Sequence, residues 1–138
     1  MMGKGGRKIG KVAFLVDVSG SMYAYQEKLN QAVDEIVGLS LSMPDTEIRI
    51  IQWDTTVKSV VDVKGDGAKK TKEWAWGGRG GTYIAPALQA AKEWRADVQV
   101  IWTDGQMSLP ERILTPTLWA ITDTNSEIPK TLGSVIRV

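Results

Sequence analysis

The stretch DVSGS sets Asp17, Ser19 and Ser21 at alternate positions. In an extended chain all three side chains then point the same way. Gly20 between the two serines lets the chain turn tightly just there. Two more oxygen-bearing side chains stand far away in sequence: Thr82, which follows Gly80 and Gly81, and Asp104 in the stretch TDG. Each of the five offers a hard oxygen. Mg²⁺ is the cation such a set suits, because it wants near-octahedral oxygen ligation, keeps several waters and takes one or two carboxylates. Mn²⁺ accepts the same ligands. Two Asp, two Ser and one Thr meet that count and leave room for a ligand from outside.

Other chemistries are closed off by what the chain lacks. It has no His and no Cys. No Ser-His-Asp triad, histidine metal site, thiolate metal site or cysteine nucleophile can be built. The glycine-rich stretch GGRGGT looks like a phosphate loop at first sight, but the G-K-[ST] ending is absent and Gly81 stands where the Lys should be.

The five residues meet only if the right elements carry them. KVAFLVDV is a short apolar run with the character of a buried strand, and it ends at Asp17. From Met22 to Ser42 apolar residues recur at helical spacing until Pro44 forbids continuation. EIRIIQW and VKSVVDV read as two strands joined by a DTT turn, the second being the antiparallel edge. Residues 68–76, AKKTKEWAW, are ambiguous between helix and strand. A helix fits from Tyr83 to Arg95, with Pro86 tolerated in its first turn. DVQVIWTDG is another apolar strand running into Asp104. SLPERIL suggests one or two helical turns, and PTLWAIT and GSVIRV suggest two more strands. Helices alternating with continuous apolar strands predict a three-layer, doubly wound α/β domain: a mostly parallel sheet with one antiparallel edge strand, in a compact version. In such a sheet ligands bind outside the carboxyl ends of the strands. Asp17 and Asp104 both stand there.

The 138 residues fit one domain, expected over 11–138 after a flexible basic lead-in at 1–10. The lead-in carries Lys4, Arg7 and Lys8, but the net charge is only +1, so no global field invites nucleic acid or an anionic membrane. No apolar run approaches the ~20 residues that cross a bilayer. The missing cysteines suit a reducing, cytoplasmic setting.

Taken together, the motifs resemble those of von Willebrand factor A (VWA) domains. DVSGSM is similar to the D-x-S-x-S of the metal-ion-dependent adhesion site, and GGT at 80–82 and TDG at 103–105 resemble the second and third motifs, in the right order. The stretches GRGGTYIAPAL, VIWTDGQMSLPE and PTLWAIT further resemble a VWA-like domain of unknown function found after a metallopeptidase-like domain in bacterial and phage proteins. The resemblance implies direct metal ligation by Ser19 and Ser21, ligation by Thr82 directly or through water, and indirect roles for Asp17 and Asp104. It also implies a protein partner whose Asp or Glu completes the metal's shell; a metallopeptidase-like or an AAA ATPase protein is the kind of partner expected. The chain is shorter than a typical member, so a helix or two around the sheet is expected to be missing.

Each residue also has a plainer reading. Ser21 would serve as the N-cap of the helix starting at Met22. Arg79, Tyr83 and Trp76 flank Thr82 and would form a partner-binding rim, since Arg, Tyr and Trp dominate hot spots; Trp76, with Trp74, would otherwise pack on the sheet. Trp53, Trp94, Trp102 and Trp119 read as core. Asp54 reads as a turn residue. The expected function is a non-enzymatic, metal-dependent interaction module. The alternatives are a structural accessory module of a larger assembly, and a Mg²⁺-dependent hydrolase or phosphotransferase using Asp17. The last is disfavoured because Ser19 stands where such enzymes carry a second Asp.

Overall fold

The computed structural model describes residues 10–77, 81–123 and 125–138. Residues 1–9 of the lead-in expected over 1–10, and Arg79, lie outside the described residues; Gly10 is tied down, donating to Asp97 and accepting the Glu47 N–H. Six strands form one sheet: β1 (Lys11–Asp17), β2 (Glu47–Trp53), β3 (Val57–Asp62), β4 (Val98–Thr103), β5 (Thr117–Ile121) and β6 (Ser134–Arg137). Their spatial order is β3-β2-β1-β4-β5-β6. Every neighbouring pair is parallel except β2–β3, where Arg49 opposes Asp62 and the two side chains form an ion pair at 2.8 Å. The antiparallel edge is therefore the one that VKSVVDV predicted.

Among the described residues two α-helices cover the sheet, one on each face. α1 (Gln26–Ser42) turns Leu29, Val33 and Ile36 inward at the i, i+4, i+7 spacing of a helical stripe. They meet Val16, Ile48 and Ile50. α2 (Ala85–Glu93) buries Ala87 and Ala91 on the other face, against Leu15, Ile51, Trp53, Ile101 and Trp119. Successive strand residues go to opposite cores, Leu15 to α2 and Val16 to α1, Ile50 to α1 and Ile51 to α2. That period of two, with both faces buried, is why these strands read as unbroken apolar runs.

Three local expectations differ from the structure. The helix predicted from Met22 begins as a 3₁₀ segment, Gly20–Tyr25, in which the Met22 N–H donates to the Ser19 carbonyl at 2.9 Å. The segment SLPERIL contains no helix; Leu109 and Ile113 pack against the α2-side core from an irregular chain, and Pro110 removes a donor that a helical turn would need. The ambiguous 68–76 stretch ends a 3₁₀ segment (Gly65–Lys70) and then runs without a strand partner. Its backbone is satisfied by a side chain: buried Gln52 accepts the Ala75 N–H at 2.7 Å and donates to the Glu73 carbonyl at 2.9 Å.

The connection from β1 through α1 to β2 winds to one side of β1, while α2 leads to β4 on the other side. The strand order thus reverses between β1 and β4, which creates the crevice where open α/β sheets bind ligands. Among the described residues no helix is long and apolar enough to cross a membrane.

Candidate metal centre

Asp17 ends β1 with no exposed surface. Its Oδ1 accepts the Ser19 N–H at 2.9 Å, and its Oδ2 accepts the Thr103 hydroxyl at 2.6 Å. Burial pushes its pKa up. Hydrogen bonds from Ser19 and Thr103 oppose that, the nearby Asp104 charge adds to it, and the net direction is upward. Asp17 is therefore a brace that fixes the start of the serine turn, and both its oxygens are engaged.

The turn then presents two hydroxyls. Ser19 Oγ and Ser21 Oγ lie 3.3 Å apart. Ser21 Oγ donates to Asp104 Oδ2 at 2.5 Å. The plainer reading of Ser21 as a helix cap is overturned: the residue lies inside the 3₁₀ segment, and its hydroxyl goes to Asp104 instead. The cap position belongs to Ser19, whose side chain makes no capping hydrogen bond. Neither hydroxyl is spent on a helix end.

Asp104 follows β4 and is also buried. Its Oδ1 accepts the Gln106 N–H at 3.0 Å, and its carbonyl accepts the Ser126 hydroxyl at 2.5 Å. Gly105 adopts φ +79°, and a Cβ there would lie 2.8 Å from Ser126 Cβ, so glycine is needed at that bend. Gln106 also donates through its side chain to Asp123 at 3.0 Å. The loop after β5 thus supports Asp104 from outside.

Thr82 is half-buried and is placed through its neighbour. The Tyr83 N–H donates to the Asp54 carbonyl at 2.8 Å, just past the end of β2. Two further bonds knit this end of the sheet: Val18 N–H to the Trp53 carbonyl at 2.8 Å, and Gly77 N–H to the Val18 carbonyl at 2.7 Å. Asp17, Ser19, Ser21 and Asp104 are joined in one hydrogen-bonded cluster with Thr103; Thr82 stands at the same end of the sheet without a hydrogen bond to them.

Sequence reasoning missed Thr103, Gln106 and Ser126. Thr103 is fully buried, bridges Asp17 to the Gly105 N–H (3.1 Å), and was visible only as the letter before Asp104. Of the expected rim, Tyr83 is 60% exposed, and Tyr23, which was not anticipated, is 62% exposed. Trp76 is half-buried; its indole N–H donates to Gln26 at 2.8 Å, and its ring meets Tyr23 edge-on at 5.5 Å. Trp53 and Trp119 are fully buried, while Trp94 is half-buried with Lys11 and Arg49 over its ring. Asp54 makes the turn expected of it, accepting N–H groups from Thr55 and Thr56 and pairing with Lys58 at 3.6 Å.

The ion pairs between described residues are Arg49–Asp62, Lys58–Asp54 and Lys72–Asp34, so among the described residues no cationic side chain pairs with Asp17 or Asp104. Nor do three or more His, Cys, Asp or Glu side chains gather anywhere among those residues. A cation at this end of the sheet would be held mainly by hydroxyls and water. The donor chemistry fits a hard divalent ion: two hydroxyls nearly at the spacing of neighbouring octahedral ligands, about 3 Å for Mg²⁺, beside two carboxylates.

Three solved structures share this fold. BatB, a conserved hypothetical protein of Bacteroides thetaiotaomicron, is 17% identical, with a TM-score of 0.59 over 93% of this chain and 89% of its own. A von Willebrand factor type A protein of Catenulispora acidiphila is 15% identical, with a TM-score of 0.58 over 94% of this chain and 38% of its own. An aerotolerance-related membrane protein of Bacteroides fragilis is 20% identical, with a TM-score of 0.55 over 79% of this chain and 66% of its own. No curated protein matches the chain. The family model described as VWA-like domain (DUF2201) matches residues 12–138, from the first strand to the last residue. With its sheet order and the fold it shares with VWA proteins, the chain belongs to the DUF2201 family of VWA-like domains.

Proposed function

We propose that the chain is a non-enzymatic protein-interaction module whose grip on its partner depends on Mg²⁺ or Mn²⁺ at the β1–β4 end of the sheet. Membership of a VWA-like family supports an interaction module in general. The observation that carries the metal-dependent reading is the Ser19–Ser21 hydroxyl pair, 3.3 Å apart, beside two buried carboxylates that make no ion pair among the described residues.

Ser19, Ser21 and Thr82 would hold the ion. Ser21 donates its proton to Asp104 and accepts from the Ser19 hydroxyl, which leaves one lone pair of its oxygen to ligate. Asp17 keeps the Ser19 backbone in place through the Ser19 N–H. Asp104 would also accept hydrogen bonds from bound water. When bound, the cation supplies an electrophilic position that a partner's Asp or Glu oxygen can fill. Tyr23 and Tyr83 would provide aromatic contact area around that oxygen.

The non-enzymatic part of the reading rests on Asp17. A nucleophile must reach its substrate, and this carboxylate is fully buried with both oxygens engaged. A metallopeptidase-like or AAA ATPase partner and a cytoplasmic setting remain part of the proposal; the cysteine-free sequence suits the latter.

Isothermal titration with Mg²⁺ and Mn²⁺, followed by partner capture with and without chelator, tests the reading. Saturable metal binding that Ser19→Ala abolishes, and capture that chelator weakens at least about tenfold, are expected. A partner whose affinity ignores both chelator and Ser19→Ala would instead make the chain a structural accessory module. Turnover of a phosphate ester that Asp17→Asn abolishes would make it an enzyme.

A further inference from the structure

A second cavity, of about 290 Å³, opens between α2 and the irregular segment that precedes β5. Leu88 and Lys92 of α2, Gln99 of β4, and Arg112, Ile113 and Leu114 line it. It is separate from the metal centre. Gln99 lies four residues before Thr103, about 13 Å down the same strand.

Gln99 is an unusual lining residue. Only 2% of it is exposed, and its side chain lies on the same face of β4 as Ile101, toward α2. Its Nε2 donates to Thr117 Oγ1 at 3.0 Å, and Thr117 Oγ1 spends its own proton on the Thr115 carbonyl at 2.7 Å. Thr117 can therefore only accept from Gln99, which fixes the carboxamide with its nitrogen toward Thr117. The oxygen left over, Oε1, is buried with no hydrogen-bond partner among the described residues. A Leu or Met at this position would pack without an unmet acceptor.

The rest of the lining has its own chemistry. Lys92 and Arg112 are exposed and make no ion pair among the described residues. Leu114 is 76% exposed, an unusual state for a leucine beside a cavity, and Leu88 and Ile113 continue the apolar wall. Three demands thus stand at or just behind one small space: an anion for two cations without an ion pair among the described residues, an N–H for an amide oxygen buried behind the cavity wall, and an apolar group for three aliphatic side chains. The last residue of a peptide chain meets all three within one residue. It carries a carboxylate, a backbone N–H and a side chain, and the volume suits one large apolar residue and part of the next.

We propose that this cavity binds the free C-terminus of a partner polypeptide ending in an apolar residue. Arg112 and Lys92 take the terminal carboxylate, Leu88, Ile113 and Leu114 receive the last side chain, and a turn of the Gln99 carboxamide toward the cavity lets its Oε1 accept the N–H of the last residue. The metal centre plays no part in this contact.

The test uses the full chain in chelator, with N-acetyl-Ala-Leu as a free acid and as its C-terminal amide, followed by NMR titration. Saturable shifts at Leu88, Ile113 and Leu114 are expected with the acid, and the amide should bind at least about tenfold more weakly. Arg112→Gln and Lys92→Gln, both at the surface, should each weaken the acid and leave the amide unchanged. Gln99→Leu should weaken both. Should that core variant fail to fold, the two surface variants still decide the matter. Equal binding of acid and amide, binding indifferent to the Arg112→Gln/Lys92→Gln double variant, or no saturable shift up to about 10 mM would overturn the proposal.

Discussion

Asp17 and Asp54 end neighbouring parallel strands at the same edge of the sheet. Asp17 pairs in register with Trp53, the residue just before Asp54. Both are buried. Yet their surroundings are opposite. At Asp54, desolvation favours the neutral acid, but the N–H groups of Thr56 and Thr55 and the Lys58 ammonium outweigh it, and the pKa falls below its ordinary value. At Asp17 desolvation wins and the pKa rises. Asp54 is a finished turn, with its charge balanced inside the chain. The Asp17–Asp104 end has hydroxyls enough to organise two carboxylates but, among the described residues, no ion pair to balance them. One strand end is balanced within the described chain, and the other is the end where the proposed cation would sit.

Substitutions at matching places can break or sharpen this contrast. The largest effect on stability is expected from Gly105→Ala. It forces an L-residue to φ +79° and drives its Cβ toward Ser126. Chemical denaturation should show a loss of about 2–3 kcal/mol, and Asp104 should lose its support with it. Gly77→Ala is the counterpart at the other strand end, because a Cβ there would strike Asp54 Oδ2. It should perturb the turn and leave the Asp104 cluster intact, as read from amide shifts of residues 103–106.

Next comes metal affinity. Ser21→Ala removes a proposed ligand and the Asp104 hydrogen bond. It should weaken Mg²⁺ binding at least tenfold, about 1.4 kcal/mol, by calorimetry. Asp54→Ala should change that affinity less than twofold, about 0.4 kcal/mol. Equal effects from the two variants would erase the distinction between the strand ends.

Asp54→Ala should act on folding instead, costing about 1 kcal/mol through the lost hydrogen bonds of its turn. The pH dependence carries the sign. The Asp54 contribution is present above the unfolded carboxylate pKa and is lost as pH falls through the lower folded value. Stability of the wild type relative to Asp54→Asn should therefore shrink in acid.

The smallest effect, and the one of opposite sign, belongs to Asp17. Its folded pKa is raised, so its contribution is fully present below the unfolded value and is lost as pH rises through the folded value. In chelator, Asp17→Asn should be more stable than wild type at neutral pH, and the advantage should vanish toward pH 3. A neutral-pH advantage that persists with Mg²⁺ present would show that the buried charge is not balanced by a bound ion.

Much of this was legible in the sequence because strand periodicity and strand ends are local signals. Asp17, Ser19 and Ser21 announce themselves by alternating at the end of an apolar run, and Asp104 by the same placement. What escaped depends on contacts between distant segments. Thr103 matters because β1 and β4 are in register, with Val16 opposite Trp102, and no local pattern encodes that pairing. Ser126 sits in a loop with no local pattern that signals its reach to Asp104. The 68–76 stretch resisted assignment because its partner is the Gln52 side chain, not another strand. SLPERIL misled because Leu109 and Ile113 stand four apart, as on a helix, while both are drawn onto the sheet from an irregular chain.

The loop that delivers Thr82 leaves Gly77 and returns at Tyr83. Its two ends are tied by backbone hydrogen bonds to the residues that follow β1 and β2, Val18 and Asp54. Only five residues span the gap. Tying both ends to the sheet limits the chain entropy that a ligand would have to remove there. If Thr82 ligates the ion as proposed, a short span between tied ends would lower the affinity spent on gathering it. Lengthening the span by inserted glycines would return that entropy to the unbound state. Metal affinity would then fall with every hydroxyl and carboxylate left in place, and the tether would be revealed as a determinant of binding that never touches the ion.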